Sequence, residues 1–525
     1  MITLPQDLVA FILVLARGAQ LSAQSLALGG LLFLLGVMPL FMGRLGTAEA
    51  GLIATGRRWT AWSGLGVAAT AGLTALLSLW ALIEGLGLNA GDAAGAEFLA
   101  WNLVAVAGGI GVAVVARGGK AAALVASSAV VVLGALMSSH AAARVDDRAF
   151  FLVADALHQL GAGLWIGGIP FLLLALVKID EAELRRAVGL RFSTLFVGAV
   201  AALVVGMAMM VWGYIGSFGA LIGTAYGIMG GAKMVFLLVL LGFALANKLS
   251  LKDKTFAGTM RLRRFAEVEL GIGLTIMFVA ASLASQPPGI DQAADQATWA
   301  EIYERIVPMP PRLESPTPDQ LTQFGVAGAQ QSELSEAMDR AWSEYNHNWA
   351  GIWVTLVGVL ALLSRSGKAR WAVHWPLVFL AMAAWLFVRA DPESWPLGPI
   401  PFFEALKDPE VFQHRVVTFL IVPFGLFEWG VRTGRLKSQA AALVFPILCA
   451  VGGALLLIHN HTLSDVKVRF LIEFTHIPMG VVGLLAGWGR WLELRGDGRI
   501  KAIAGWVWPI MFIAVGLMLV DYREG

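Results

Sequence analysis

The chain has 525 residues, of which 58% are hydrophobic and only 14% are charged. Soluble domains carry roughly 25% charged residues, so this composition excludes a soluble globular enzyme. The 60 glycines and 19 tryptophans fit transmembrane helices, in which glycine is common and tryptophan gathers at the interfaces. We therefore predict an all-α, polytopic membrane protein. The net charge of +2 gives no sign of a nucleic-acid partner, and the single cysteine, Cys449, excludes a disulfide framework or a Cys-rich metal site.

Apolar runs long enough to cross a bilayer recur along the whole chain. A spanning helix needs about 20 apolar residues, and about fourteen runs meet this need. They lie near residues 22–43, 60–82, 96–116, 121–137, 149–177, 193–216, 227–247, 265–286, 348–364, 371–389, 413–430, 439–458, 469–489 and 502–521. Residues 1–21 lack the basic start and cleavage site of a signal peptide. We interpret them as a membrane-embedded lead-in to the first span.

Basic residues concentrate in alternate connections between these runs. Seven odd-numbered connections hold 25 of the 38 Lys and Arg residues, whereas the even-numbered ones are richer in acids or histidine. The positive-inside rule assigns the basic connections to the cytoplasm. The prediction is thus fourteen spans with both termini on the outer side.

One long connection, from Pro287 to His347, interrupts the pattern. It contains 7 of the 20 prolines and ten acidic residues against three basic ones. It divides the chain into an eight-helix block at 1–290, an outer loop at 291–347 and a six-helix block at 348–525. Residues 332–345 are compatible with a short amphipathic helix. Two interpretations of the loop stay open, namely electrostatic gathering of cations and a solvated linker without a binding role.

Histidine placement is the most informative feature of the sequence. The predicted topology puts all histidines except His374 on the outer side, and we interpret His347, close to Trp349, as an interfacial anchor. A polar side chain inside a bilayer is costly, so histidines within spans should face protein or a cavity. Imidazole binds copper, zinc, iron and haem alike, so the pattern predicts a metal or cofactor site without naming the metal. The histidines are His140, His158, His347, His374, His414, His459, His461 and His476.

The first block contains two of these candidates. Asp155 and His158 are three residues apart and so share one face of a helix. The carboxylate could orient the ring by accepting its second N–H, as carboxylates do behind metal-bound histidines. His140 closes the fourth span. The alternatives are a structural role for His158 and simple solvation for His140.

The second block holds a denser set. His459 and His461 end the twelfth span, and Glu473 and His476 enter the thirteenth with the Glu-x-x-His spacing that binds metals in helical bundles. Because a short hairpin joins the two spans, we predict that the four side chains share a metal site, which His414 could join. The alternative is that the two hairpin histidines lie in the interface and the carboxylate pairs with a neighbouring arginine.

Methionine adds a soft ligand type on the same side. Thioether sulfur favours Cu(I) over harder ions, and Met207 and Met210 share a helix face. Core packing is the alternative for each methionine. The methionines predicted in the outer halves of spans are Met137, Met207, Met209, Met210, Met229, Met234 and Met479.

Charged residues within the spans are rare types in rare places. For Glu269 and Glu428 we expect ion pairs with flanking arginines such as Arg264 and Arg432, and for Lys233 a position from which it reaches toward the surface. If protons are coupled to transport, Asp155, Glu269 and Glu473 are the first carboxylates to test.

The sequence has no P-loop, nucleophile elbow or HExxH motif, which favours a transporter over an enzyme.

An ordered set of short motifs resembles the CopD-type copper resistance family of bacterial inner-membrane proteins. Each motif is short, but together they span nearly the whole chain. The matching stretches are 139–142, 155–158, 164–168, 191–193, 224–227, Lys233, Asn247, Glu269, 287–289, 395–399, 413–415 and 456–461 through His476. Ala225 departs from the family, which often has proline there, and no CopC-like domain is fused to the chain.

The resemblance implies copper handling at the inner membrane and movement of copper from the periplasm to the cytoplasm. The outer side of the predicted topology, with both termini, is then the periplasm. It also implies a periplasmic CopC-like partner, beside the copper ion and membrane lipid. We expect His459, His461, Glu473 and His476 to capture the copper ion and His140 and His158 to form a second site. Two alternatives remain, a haem- or copper-containing membrane oxidoreductase and a copper sensor or assembly factor, since paired histidines in helical bundles also bind haem.

Overall fold

The computed structural model describes residues 6–317, 333–458 and 466–524. Within these ranges the chain is helical and contains no β-strand, which confirms the all-α prediction. The helices of the first part are α1 (Gln6–Leu31), α2 (Ala48–Trp80), α3 (Ala90–Ala94), α4 (Glu97–Val115), α5 (Ala121–Met137), α6 (His140–Ala143), α7 (Arg148–Lys178), α8 (Ala182–Met210), α9 (Phe218–Gly223), α10 (Ala225–Ser250) and α11 (Phe256–Leu283). Those of the second part are α12 (Trp299–Ile306), α13 (Glu333–Ser366), α14 (Val378–Arg389), α15 (Phe402–Ala405), α16 (Pro409–Arg432), α17 (Gln439–Ile458), α18 (Val466–Arg495) and α19 (Gly498–Val520).

Thirteen helices in the described residues are long and apolar enough to cross a membrane. Several are extended by π- or 3₁₀-helical turns, so that the first candidate span covers Val9–Leu40 and the second Ala48–Gly85. The predicted run that is not among these thirteen, 121–137, corresponds to α5, which is apolar but has only 17 residues. The chain is therefore a multi-pass membrane protein, whereas a count of fourteen and the side on which the termini lie remain predictions.

Two predicted boundaries are wrong. Helix α1 begins at Gln6, so the described part of the lead-in is the first turns of a spanning helix rather than a separate segment. The short amphipathic helix predicted at 332–345 is the beginning of α13, which runs without a break to Ser366. The long connection also contains α12, whose N-terminus carries a capping box between Thr298 and Glu301.

The chain forms two compact units. One comprises Met1–Gln296 and Ile458–Thr462, and the other Ala297–Leu457 and Leu463–Gly525. In the first unit, α7 and α8 pack closely because small residues face each other. A Cβ atom on Gly206 would lie 2.6 Å from the carbonyl oxygen of Ala154 and 2.7 Å from the backbone nitrogen of His158. Such small-residue contacts allow helix backbones to approach in membranes, and this one fixes where the Asp155–His158 turn lies.

The second unit packs around aromatic side chains. Trp375 and Trp508 are each 1% exposed, and Phe445 lies against both rings, with ring centroids 5.6 and 5.8 Å away. Beside this core, Glu428 accepts from Arg432 at 2.6 Å, which confirms the predicted pair, and from Arg490 at 3.0 Å. The buried carboxylate is thus compensated by two guanidinium groups, as a charge in this position requires.

The prediction for Glu269 is wrong. Its carboxylate accepts a hydrogen bond from the Asn247 amide at 2.5 Å, and the expected partner, Arg264, pairs instead with Glu267 at 2.9 Å. Helix α11 explains the difference. Glu267 shares with Arg264 the face that an i, i+3 pair needs, whereas Glu269 faces α10.

Candidate functional sites

A cavity of about 80 Å³ lies inside the first unit, among α1, α7, α8, α10 and α11. A water molecule needs roughly 10–15 Å³ of such space, so the cavity has room for several. Most of its wall is apolar, and few polar groups project into it, which is the usual build of a small-ligand site. The polar side chains of the lining are Gln24, Ser25, His158, Gln159 and Lys233.

His158 is the imidazole of this cavity. Its ring interacts with the backbone carbonyl of Leu203, and its Nδ1 atom is buried without a hydrogen-bond partner in the described residues. Met207, one turn further along α8 than Leu203, lines the same cavity. The structure thus brings together two of the predicted ligands, an imidazole with an unused ring nitrogen and a thioether.

Asp155 does not orient His158 as predicted. The carboxylate is 7% exposed and interacts with the side chains of Gln159 and Ser139. The positive charges that act on it belong to Arg17 and Lys233. Although the i, i+3 spacing puts the two groups on one face, the carboxylate is held by Gln159 of the next turn of α7 and by Ser139 at the start of α6. Asp155 therefore balances the lysine charge at the cavity instead of holding the ring.

A chain of polar groups connects α1 to this region. The Gln24 amide donates to the Gln159 side-chain oxygen at 3.0 Å, and the Ser25 hydroxyl lies 3.8 Å from the sulfur of Met277. The sequence analysis did not single out Gln24, Ser25 or Gln159. Gln20 and Gln24 are spaced by one helical turn within an apolar helix, and that spacing was the available signal.

His140 and Met210 do not belong to the cavity lining. His140 is exposed at the start of α6, where its Nε2 contacts the backbone carbonyl of Ala284. Met210 packs against an aromatic cluster that contains Phe151 and Tyr214. The expected second site made of His140 and His158 stays a prediction. More widely, the described part of the chain holds no group of three or more His, Cys, Asp or Glu side chains that could bind a metal.

The second unit brings together two histidines and a tyrosine. The ring centroids of His347 and His476 are 5.9 Å apart, and the rings are nearly perpendicular. Tyr522, which follows α19, stacks on His347 at 3.9 Å and meets His476 edge to face at 5.4 Å. His347 was interpreted from the sequence as an interfacial anchor, and the structure instead places it beside a predicted ligand. Nothing in the sequence spacing connects the two residues.

His414, another predicted ligand, lies in the same unit at the start of α16. Its Nδ1 is 2.7 Å from Oδ1 of Asp391, and the guanidinium of Arg415 lies 3.4 Å from Oδ2. The ring acts electrostatically on His347. A carboxylate behind an imidazole is an arrangement common at metal sites, but here the same carboxylate also compensates the buried arginine.

The remaining predicted ligands are only partly visible. Glu473 is 3% exposed within α18, one turn before His476. His459 and His461 lie outside the described residues. The four-residue hairpin site therefore stays a prediction.

These features define a class, a multi-pass helical membrane protein with a histidine- and methionine-containing cavity. Residues 186–283 match the model of a family described as copper resistance protein D, CopD. This agrees with the resemblance in the sequence, and the matched segment includes Met207, Lys233 and Met277 of the cavity wall. No curated protein and no solved structure matches the chain. The CopD match connects the protein with copper resistance and homeostasis in general.

Proposed function

We propose that this protein binds copper on the periplasmic side of the bacterial inner membrane and moves it toward the cytoplasm. The observation that carries the proposal is the composition of the cavity. The segment that matches CopD supplies Met207 and Lys233, and α7 adds His158 to the same space. Imidazole and thioether together suit Cu(I) better than hard cations.

Charge balance supports passage of a monovalent cation through this cavity. Lys233 would repel a metal ion, but Asp155 lies within electrostatic reach of it. A cation that enters beside His158 can replace the Lys233 ammonium as the positive charge near the Asp155 carboxylate, while Lys233 moves away. We thus assign Lys233 and Asp155 to charge compensation, and His158 and Met207 to contact with copper.

We further propose that copper first reaches the periplasmic ends of the helices. There we retain the predicted ligands His459, His461, Glu473 and His476, which His414 could join. A CopC-like periplasmic protein would deliver the ion, as the resemblance to the CopD family implies.

Copper bound per purified chain tests the cavity assignment. Protein purified in detergent is loaded with Cu(I) under reducing, anaerobic conditions and measured by elemental analysis. The H158A/M207L variant should bind less copper than the M210L variant, whose side chain packs outside the cavity. Equal copper in both variants would contradict the assignment.

Uptake by liposomes tests transport separately from binding. Liposomes containing the wild-type protein should accumulate copper, and those containing H158A/M207L should not. Replacing His459 and His461 together with alanine should lower bound copper as well. Copper binding without uptake would favour the alternative of a sensor or assembly factor.

The haem alternative is tested by the visible spectrum of the purified protein, in which a Soret band would support it. The histidine pair of the second unit does not fit a porphyrin as arranged here. Tyr522 contacts both rings, at 3.9 and 5.4 Å between centroids, and occupies space that a haem face would need. Copper without visible colour would favour a Cu(I) carrier over a redox centre.

A further inference from the structure

We infer that three arginines of the first unit form a binding site for the phosphate headgroup of an anionic phospholipid. The site is a cavity of about 420 Å³ between the first turns of α2 and the end of α4. It is distinct from the cavity that contains His158, because the two linings share no residue. The inference therefore depends neither on copper nor on transport. The lining residues are Ala54, Arg57, Arg58, Ala61, Trp62 and Arg117.

Close packing of α2 on α4 brings the arginines together. A Cβ atom on Gly64 would lie 2.5 Å from the carbonyl oxygen of Gly109, and one on Gly109 would lie 2.6 Å from that of Gly64. The two helices therefore touch through their backbones. Arg57 and Arg58 lie about two turns before this contact in α2, and Arg117 lies about two turns beyond it, just past the end of α4.

The three guanidinium groups have no anionic partner within the described residues. Arg57, Arg58 and Arg117 are all exposed, and in the part of the chain that the structure describes none of them forms a hydrogen bond or an ion pair. The cavity lining contains no acidic side chain. By contrast, Arg191 of α8 donates to the backbone carbonyl of Gly36 at 2.9 Å. Three positive charges that converge on one cavity without a negative charge favour an anionic ligand.

The lengths of the two helices place the cavity at the level of the lipid headgroups. Helix α4 has 19 residues, so it is about as long as the hydrocarbon core is thick, roughly 30 Å. Arg117, just past its last turn, then lies where the hydrocarbon ends. The span that begins with α2 covers 38 residues, Ala48–Gly85, which is more than a crossing needs. Its first turns, up to Arg58, can therefore lie among the headgroups.

The chemistry of the lining favours a phospholipid over a soluble anion. A guanidinium group donates two parallel hydrogen bonds to phosphate oxygens, and basic pockets between membrane helices bind anionic headgroups. Trp62 is 65% exposed at the same cavity, and tryptophan prefers the membrane interface. A soluble phosphate would use the arginines and leave the indole ring without an apolar partner. Phosphatidylglycerol can contact both, with its phosphate on the arginines and its acyl chains along the ring.

Lipid binding by the full-length protein in a neutral detergent tests the site. The protein is given equal amounts of phosphatidylglycerol and phosphatidylcholine, and bound lipid per chain is counted by native mass spectrometry. Phosphatidylcholine carries a trimethylammonium group that the arginines repel, so wild type should prefer phosphatidylglycerol by about tenfold or more. R57Q/R58Q/R117Q should lower this preference to about threefold or less. Equal binding of the two lipids by wild type would overturn the inference.

A charge-matched variant, R44Q/K120Q/K178Q, is the control. These three side chains are exposed and lie outside the cavity lining. The variant should keep the wild-type preference. An equal loss of preference in the two triple variants would show that net charge alone attracts the lipid and would overturn the site. Inorganic phosphate in about hundredfold excess should leave phosphatidylglycerol bound to wild type, and displacement of the lipid would overturn the choice of a phospholipid.

A measurement that keeps all three arginines covers the case in which the triple variant fails to fold. Trp62 is replaced by the photoreactive residue benzoylphenylalanine. In the control, Leu76 of the same helix, which is 66% exposed and outside the lining, is replaced instead. In vesicles of equal phosphatidylglycerol and phosphatidylcholine content, crosslinks from the first site should be enriched about threefold or more in phosphatidylglycerol, and those from the second should match the bilayer. The same lipid ratio at both sites would overturn the inference.

Discussion

The side-chain amide of Asn247 donates to Glu269 at 2.5 Å and so connects α10 to α11 within the segment that matches CopD. Glu269 is 3% exposed, and its second carboxyl oxygen is buried without a hydrogen-bond partner in the described residues. A carboxyl group with a single neutral donor is costly inside a membrane protein. Substitution of Glu269 can therefore separate the effect of its charge on stability from the effect of its hydrogen bond.

Glu269→Gln should preserve the fold, since the glutamine oxygen still accepts from Asn247 and no charge is left in the helix interface. Glu269→Ala should destabilise the protein by about 1–3 kcal/mol, because the buried amide loses its partner. Thermal unfolding in detergent measures both. An equal loss of stability in the two variants would show that the negative charge itself holds the helices. If the carboxyl group carries protons during transport, the glutamine variant should be folded but defective in liposome uptake.

Gly206→Ala should disturb the site at His158. The new methyl group would meet the carbonyl of Ala154 and the backbone nitrogen of His158 at 2.6 and 2.7 Å, so α8 must move away from α7. Overpacking of this kind costs about 1–3 kcal/mol.

Gly198, on the same helix, is the matched control because an added Cβ would have nothing within 4 Å. Gly198→Ala should be neutral or stabilising, since alanine is the better helix former by about 0.5–1 kcal/mol. Melting temperature and bound copper are measured for both variants. A Gly206→Ala protein as stable and as copper-loaded as Gly198→Ala would show that the close approach of α7 and α8 is unimportant.

Glu428→Ala should be among the most destabilising single substitutions in the second unit. Its carboxylate is fully buried and compensates both Arg432 and Arg490. Removing one partner of a buried ion pair typically costs about 3–5 kcal/mol.

The comparison is Glu404→Ala, which breaks the exposed pair with Lys407 at 2.7 Å. Exposed pairs contribute about 0–1 kcal/mol, so this variant should unfold close to the wild-type temperature. A small effect of Glu428→Ala would mean that Glu493, which also pairs with Arg490 at 2.6 Å, is sufficient to hold the guanidinium.

The ion pair between Glu301 and Lys467 should fasten α12 to the start of α18 in a pH-dependent way. The Lys467 ammonium, followed by the backbone N–H and hydroxyl of Thr298, lowers the pKa of Glu301 from 4.5 to about 2. A lowered carboxyl pKa stabilises the folded contact above the unfolded value, and the contribution is lost as the pH falls toward the folded value. The contact should therefore be constant above about pH 4.5 and fade between 4.5 and 2.

Hydrogen exchange measures this effect as the ratio of the amide exchange rates of α12 in E301Q and in the wild type, determined at each pH. The ratio should exceed one at pH 7, be unchanged down to about pH 5 and approach one near pH 2. Glu304→Gln is the control, because that exposed carboxylate forms no ion pair within the described ranges. A ratio that does not change with pH would contradict the role of the charge.

Much of the architecture follows from sequence alone because a bilayer imposes strong local constraints. Backbone groups in hydrocarbon must be satisfied within a helix, so long apolar runs become helices wherever they occur. The ion pair of Glu428 with Arg432 was likewise predictable, since an i, i+4 spacing fixes a contact within one helix. Errors arose at helix starts. Helix α1 extends back to Gln6 through a largely apolar stretch interrupted by Arg17 and Gln20, whereas α13 extends back to Glu333 through polar residues.

The candidate sites were predictable only as lists of residue types. The sequence by itself determined that the protein is helical and crosses the membrane many times, and which side chains of α7 or α18 share a face. Only the tertiary structure decided that Asp155 is held by Gln159 and Ser139 instead of orienting His158. It alone also brought His347 of α13 against His476 of α18. Periodicity fixes a side chain relative to its own helix axis, whereas the rotation and depth of neighbouring helices depend on contacts such as that of Gly206, which no single run of sequence contains.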